Sequence, residues 1–466
     1  MTPTLINFKF DIVDLKLQDK NTNSADSATS NPQKSLGQVM TPHNIVELMT
    51  RSLTLLNKKI LEPSCGDGAF LVHLAKTYCK EFLKTNNNLH TLKAHLEQNL
   101  VGIEIDKRLL DKCKMRLDSA VAEFGLSNVR WNLIEGDFLK CYTRFKEQMD
   151  IVIGNPPYIR IHNINKDARS FTNGGMGDLY LIFFELGFKC LNTSGELIYI
   201  TPSSWLNSKA GTTLRTYIKA EQNLVKLIDF AHEKIFKNIT TYALISFFKK
   251  GAKRNSITLC EGAETREIPY EKLFLNNNIY LGQSQKILEC KSLPVKNGFA
   301  TLCDEFFIGN FKGLNYPIIK VLKASNGAWA DCIYPYNENG KFEIPNGEVL
   351  KRYEVFKERL INRDLRGADY RAFGRTQGLK DTYKRKIAFN TLIKDIKDIK
   401  IYEVPKGCGV YSGLYLVSET PLSEFERVLK SDEFMCYIKS LRKYKNGGYY
   451  TFNSADLGKY LSWRVG

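Results

Sequence analysis

Between Thr41 and Lys250 short apolar runs alternate with helix-like stretches, and this alternation is the strongest constraint on the fold. Lys59–Glu62 ends one apolar run, followed by runs at Leu100–Ile105, Val129–Glu135 and Asp150–Gly154. Ala69–Lys84 and Arg108–Glu123 carry helical periodicity between them, and Thr41-Pro42 opens a helix with Ile45, Val46, Leu48 and Met49 on it. Leu179–Cys190 is a further helix, before a strand at Gly195–Ile200. Strands alternating with helices predict an open α/β sheet, mostly parallel, with helices on both faces. The last two strands, Leu224–Phe230 and Ala243–Lys249, lie too close in sequence for a crossover helix and are expected to be antiparallel.

Three segments follow from the composition along the chain. Residues 1–35 include the polar stretch Asn21–Gln33, which has no apolar period and reads as a partly flexible extension. Residues 36–250 hold the alternating pattern. At Gly251 the pattern breaks, and residues 251–466 read as a second domain of mixed α+β type, built from short strands, aromatics, glycines and basic residues. The chain carries a net charge of +17. About +10 of it lies after Lys250, from 35 basic against 25 acidic residues, which suits a polyanionic partner. The sequence has no apolar run of membrane-spanning length and its start lacks a signal-peptide pattern, so no membrane association and a cytoplasmic location are expected. Its 11 cysteines include no C-x-x-C pair, which argues against a zinc ribbon and fits reduced thiols; no metal is expected.

Four short motifs end the predicted strands. Glu62-Pro63-Ser64-Cys65-Gly66-Asp67-Gly68 puts glycines where backbone can approach a ligand, without the spacing of a dinucleotide fingerprint or the lysine of a phosphate loop. Glu104, in Val101–Asp106, sits where an acid grips a ribose diol. In Gly136-Asp137-Phe138 the acid can accept from an adenine amino group and the ring can cover the base. The fourth motif decides the chemistry: Asp150-Ile151-Val152-Ile153-Gly154-Asn155-Pro156-Pro157-Tyr158. Two prolines can continue neither ladder nor helix, so they stiffen a loop that projects an amide and a ring. The Asn155 side-chain oxygen and the Pro156 carbonyl can accept both hydrogens of a planar amino group, and Tyr158 offers a stacking face.

With these motifs in this order, the sequence resembles the gamma group of S-adenosylmethionine-dependent DNA N6-adenine methyltransferases, common in bacterial restriction–modification systems. The resemblance covers about Leu36 to Lys250. It implies a Rossmann-like class I methyltransferase sheet followed by a target-recognition domain. It assigns Thr41, in Gly37–Pro42, to the cofactor carboxylate, and Glu62, Ser64, Cys65 and Gly66 to the cofactor loop. Glu104 and Ile105 would take the ribose and its base, and Asp137 and Phe138 the cofactor adenine. Phe183 contacts the cofactor from the helix after Asp178, and Asn155 and Pro157 border it. The catalytic set is Asn155, Pro156, Pro157 and Tyr158, with Phe236, in His232–Phe236, packing on the opposite face of the extruded base.

The implied reaction takes adenine out of the duplex, because its amino group is inaccessible inside it. In the second domain Arg363, Arg366, Arg371, Arg375, Lys384 and Arg385, interleaved with Tyr370, Phe373 and Tyr383, are candidates for guanine edges and phosphates. Lys394–Lys400 alternates with Asp395 and Asp398 and reads as a solvated face. The expected partner is double-stranded DNA, with a separate cognate endonuclease and a monomeric enzyme. The Asn-Pro-Pro-Tyr loop also occurs in RNA and protein-glutamine methyltransferases. The Thr41-Pro42 segment, the basic second domain and Phe236 favour DNA over these. A non-catalytic subunit would lack Asn155 or the cofactor loop, and a built-in nuclease would need a cluster of acids with a lysine that is not seen after Lys250.

Overall fold

The computed structural model describes residues 40–162, 176–231, 242–275, 277–282, 290–365, 367–445 and 447–465, with 171, 233, 235, 236 and 287. The extension 1–35, the residues Gly37, Gln38, Val39, His232 and Lys234, and Arg366 lie outside the described residues. The chain divides into two units between Leu281 and Gly282.

The first unit is built on a sheet flanked by helices. In chain order its elements are α1 (His43–Thr50), β1 (Ile60–Glu62), α2 (Ala69–Leu83), α3 (Leu89–Asn99), β2 (Leu100–Glu104), α4 (Lys107–Ala122), β3 (Asn132–Glu135), α5 (Phe138–Cys141) and β4 (Met149–Gly154). There follow β5 (Arg160–His162), β6 (Met176–Asp178), α6 (Leu179–Cys190), β7 (Leu191–Pro202), α7 (Thr212–Glu221), β8 (Leu224–Asp229) and β9 (Ala243–Lys249). Two more strands, β10 (Ser256–Glu261) and β11 (Glu264–Pro269), complete the large sheet, before a short helix Tyr270–Leu273 and a two-stranded pair, Phe274–Leu275 with Asn278–Ile279.

The sheet has nine strands in the order β11-β10-β8-β9-β7-β4-β1-β2-β3. From β7 to β3 all neighbours are parallel. β9 lies between β7 and β8 and is antiparallel to both, as the short β8–β9 connection required. Alternate residues of the central strand β4 feed two cores: Val152 packs into one, Ile151 and Ile153 into the other. A parallel sheet covered on both faces needs such fully apolar strands. Helix α6 is buried almost all round, from Tyr180 to Phe188, as its uninterrupted apolar sequence demands. Its one buried acid, Glu185, is held by Lys189 and by the Phe171 backbone N–H. The chain reverses sheet direction between β1 and β4, so their carboxyl ends border the crevice where ligands of open α/β sheets bind.

The expected boundary at Lys250 is corrected. β10 pairs in parallel with β8, Leu259 opposite Leu227, and β11 pairs with β10, so the sheet continues past Gly251. The glycine turn there is a connection within the sheet. The second unit, 282–466, is α+β. One antiparallel sheet has the order Lys296–Asn297, Leu414–Val417, Lys386–Phe389, Ile401–Val404. Another runs Ile308–Gly309, Ala328–Ile333, Ile318–Lys323, Gly409–Tyr411. Helices Leu422–Leu429, Asp432–Ser440 and Ser454–Arg464 contribute Phe425, Phe434 and Leu461 to a core with Phe389 and Leu414. Among the described residues no helix is long and apolar enough to cross a membrane.

Candidate active site

All four strand-end motifs gather at the carboxyl edge of β1, β2, β3 and β4, because those strands are parallel neighbours. The loop after β1 is fixed on every side. The Cys65 N–H donates to the Ile103 carbonyl (2.9 Å), and the Gly66 N–H donates to Glu104 Oε2 (2.9 Å). Asp67 is buried and paired with Lys112 (2.9 Å) and Arg116 (2.7 Å) of α4, and Arg116 also donates to the Asp67 carbonyl (3.0 Å). This anchor escaped the sequence reading. Lys112 and Arg116 share a helix face at i, i+4, but the sequence does not say which loop they meet.

Glu104 accepts from the Ile105 and Asp106 N–H groups (both 3.0 Å) through its other oxygen, so one carboxylate ties two loops together. Glu62 lies beneath the loop. Its Oε2 accepts from the Leu71 N–H (3.2 Å) in the first turn of α2, and burial pushes its carboxyl well above the usual range. Cys65 also points inward: its Sγ would lie 3.1 Å from a Cβ at Gly102. The structure therefore corrects the expectation for these two side chains. They support the loop from below. Asp137 likewise caps α5, accepting from the Leu139 N–H (3.0 Å). Phe138 and Phe183, 2% and 4% exposed, pack on each other at 5.2 Å and form a floor instead of an open ring face.

Two features keep the crescent open. Gly66 has φ +52, and a Cβ there would meet nothing within 4 Å, so bare backbone faces space. Ile105 is apolar yet 56% exposed, directly after Glu104. An exposed apolar side chain beside bare backbone and an acid offers contacts of the kind that an adenosine carrying an amino acid would use.

Asn155 closes the crescent at β4. Its Nδ2 donates to Thr41 Oγ1 (3.2 Å), and its carbonyl accepts from Ser64 Oγ (3.3 Å). The N-terminal segment, the β1 loop and the Asn-Pro-Pro-Tyr loop thus meet at one residue. Pro156 is buried and Pro157 half-buried. Tyr158 donates to the Ile200 carbonyl (3.2 Å), and burial pushes its phenol up. Its ring stands edge-to-face against Phe236 at 6.2 Å and 77°. A base sandwich needs parallel rings with room between them, so the expected Tyr158–Phe236 pair is brought together but in a closed geometry. Tyr180, edge-to-face on Tyr158 at 6.5 Å, shares a hydrogen bond with Ser204 (2.9 Å). Both lie in segments that the resemblance covers, Asp178–Glu185 and Gly195–Trp205, without a role of their own.

Five of the candidate basic residues of the second unit, Arg363, Arg371, Arg375, Lys384 and Arg385, have partners within it. Arg363 donates to the carbonyls of Leu360, Ala372, Thr301 and Tyr370, and burial pulls its guanidinium down. Arg371 forms a two-pronged pair with Asp369 (2.9 and 2.7 Å). Arg375 is paired with Asp364 (2.7 Å). Arg385 binds Glu403 (2.8 Å) and the Ser418 and Thr420 carbonyls. Lys384, the most exposed of the set at 57%, pairs with Asp381 (2.9 Å). Among the described residues of the expected DNA-contacting set, each cation meets an acid or a cluster of carbonyls within its own unit.

Sheet order, crescent and Asn-Pro-Pro-Tyr loop together define a class I methyltransferase architecture. Residues 36–236 match the model of the Eco57I restriction-modification methylase family. The chain is similar to the Type II restriction enzyme and methyltransferase RM.Eco57I of Escherichia coli, 25% identical over 46% of this chain and 28% of that protein. It is similar to the Type II methyltransferases M.BstVI of Geobacillus stearothermophilus (27% identical; 46% of this chain, 42% of the relative) and M.HincII of Haemophilus influenzae (27%; 48% and 39%). The match spans less than half the length of each of these relatives. Among solved structures, the Type IIL restriction-modification enzyme MmeI in complex with DNA shares the fold. Its TM-score is 0.58 at 12% identity, over 89% of this chain and 63% of that one.

Proposed function

We propose that the protein is a site-specific DNA methyltransferase that modifies the N6 amino group of adenine within a restriction–modification system. The observation that carries this reading is the convergence on Asn155, which joins the Thr41 segment, the β1 loop and Tyr158 at one sheet edge. S-adenosylmethionine fits the crescent, with Gly66 backbone, Glu104, Ile105 and Thr41 as its holding groups. When bound it supplies an electrophilic methyl group.

The work of the protein's own residues follows from geometry. The amino nitrogen of adenine is a poor nucleophile because its lone pair is delocalised into the ring. Accepting its two hydrogens at the Asn155 side chain and the Pro156 carbonyl localises that pair on nitrogen. The prolines stiffen the backbone that carries both acceptors, so little reorganisation is needed at the moment of reaction. Tyr158 supplies one face for the base. Phe236 must turn from its edge-on position to supply the other. Double-stranded DNA is the proposed partner. A separate endonuclease, a monomeric state and a cytoplasmic location complete the reading.

The test partitions labelled methyl groups. Purified protein is incubated with labelled S-adenosylmethionine and, separately, unmethylated genomic DNA, total RNA or release factor. Label in DNA adenine supports the reading. Label confined to RNA or protein would leave the fold standing and sink the substrate.

A further inference from the structure

Arg215, on α7, is 2% exposed, and its contacts involve no carboxylate among the described residues. A buried cation is costly unless its donors are filled. Here they are filled by carbonyls and a hydroxyl. Nη1 donates to the carbonyls of Trp205 (2.6 Å) and Ser208 (2.8 Å), Nη2 to Thr212 Oγ1 (3.2 Å) and Nε to the Asn277 carbonyl. Burial pulls the guanidinium down to about 10, so it is still charged at neutral pH. Gly211 makes room for it: a Cβ there would come within 2.7 Å of Nη1 and 2.4 Å of the Trp205 carbonyl.

The bracketed segment is the loop that follows β7 at the carboxyl edge of the sheet. It begins just after Ile200, whose carbonyl accepts from Tyr158, and it carries Ser204, the partner of Tyr180. Trp205 anchors the same turn in the core against Phe184 and Phe248. One planar fork therefore sets the position of the turn on which Tyr180 depends. A lysine could not do this, because an ammonium is a point donor without the fork's fixed directions.

We propose that Arg215 is a positioning residue for the target-base pocket: it fixes the Trp205–Ser208 turn, and through Ser204 at the head of that turn it holds Tyr180, which stands edge-to-face against Tyr158. The inference rests on the methyltransferase reading. Arg215 touches neither substrate nor cofactor, and its effect passes through the two tyrosines.

The experiment compares wild type with Arg215→Lys and Arg215→Gln. Thermal melting checks folding, and calorimetry gives cofactor affinity. Single-turnover assays give the methylation rate. A duplex with 2-aminopurine at the mapped target position reports on the base in its pocket. The expected result is cofactor affinity within about twofold of wild type, a methylation rate lowered about 10- to 100-fold, and an altered 2-aminopurine signal. A folded variant with wild-type rate and signal overturns the inference. So does a cofactor affinity that falls in step with the rate, since the loss would then be general. If neither variant folds, Ser204→Ala and Tyr180→Phe cut the same chain further along and should each lower the rate about fivefold. Wild-type rates in both would overturn it. Absence of DNA methylation by the wild-type protein would overturn the enzymatic reading and this inference with it; an active enzyme indifferent to Arg215 overturns the inference alone.

Discussion

In the first unit polar side chains are collected at one edge of a parallel sheet, where Asn155, Thr41 and Ser64 hold three loops together. In the second unit they are spent on internal brackets: Arg363 on four carbonyls, Lys386 on three, Asp381 on two lysines and a tyrosine. The difference lies in scaffolding. A parallel sheet brings loop after loop to the same edge without further help. A domain of short strands and irregular loops has no such edge, and it must satisfy buried carbonyls with whatever cations it has. Buried arginine brackets occur in both units, Arg215 in the first and Arg363 in the second; the shared sheet edge is what the first unit adds.

The sharpest way to break this comparison is at Asn155. Asn155→Ala should lower the methylation rate about 1000-fold, as loss of a preorganised polar contact does, while cofactor binding measured by calorimetry stays within several-fold of wild type. Near-normal turnover would remove Asn155 from the chemistry.

The next effect is on stability. Arg363→Ala strands the carbonyls of Leu360, Thr301, Tyr370 and Ala372 and should destabilise the second unit by about 3 kcal/mol in denaturant unfolding. A variant with unchanged stability but weakened DNA affinity would return Arg363 to the DNA-reading role expected of it in the sequence.

A smaller effect depends on pH. Burial raises the Asp381 carboxyl, but hydrogen bonds from Lys296, Lys384 and Tyr415 outweigh it and hold the group at about 2. Because the folded value is depressed, the stabilisation is complete above the unfolded range near 4 and is lost as pH falls from 4 towards 2. It amounts to about 2 kcal/mol, read as a steeper acid loss of stability in wild type than in Asp381→Asn. Equal acid profiles would contradict the bracket.

Lys384→Ala should do least. The ammonium is largely exposed and Asp381 keeps Lys296, so the expected cost is below about 1 kcal/mol with DNA affinity unchanged. A loss of affinity with a reduced salt dependence would mark Lys384 as a phosphate contact.

The sequence made the first unit legible because its signals are local. Leu179–Cys190 is a helix over the range that its apolar run indicated, and the antiparallel β8–β9 pairing followed from the short connection alone. Helix α3 escaped notice because only Leu92 and Leu96 are buried on it, too few for a visible apolar stripe. The domain boundary was misplaced because the pairing of Leu259 with Leu227 is a long-range fact, which a charged stretch after Gly251 does not announce. The candidate site divides in the same way. Asn155, Gly66, Ile105 and Tyr158 were readable from loop motifs. The partners of Asp67 and Arg215, and the inward turn of Glu62 and Cys65, depend on packing that spacing does not encode.

The proposed chemistry places the modification of adenine in DNA at the Asn155 loop. Long-read sequencing of unmethylated genomic DNA, after incubation with S-adenosylmethionine and either wild type or Asn155→Ala, tests it most directly. The account predicts N6-methyladenine at one short motif with wild type and none with the variant. Unmodified DNA after wild-type treatment, or equal modification by both proteins, would contradict it.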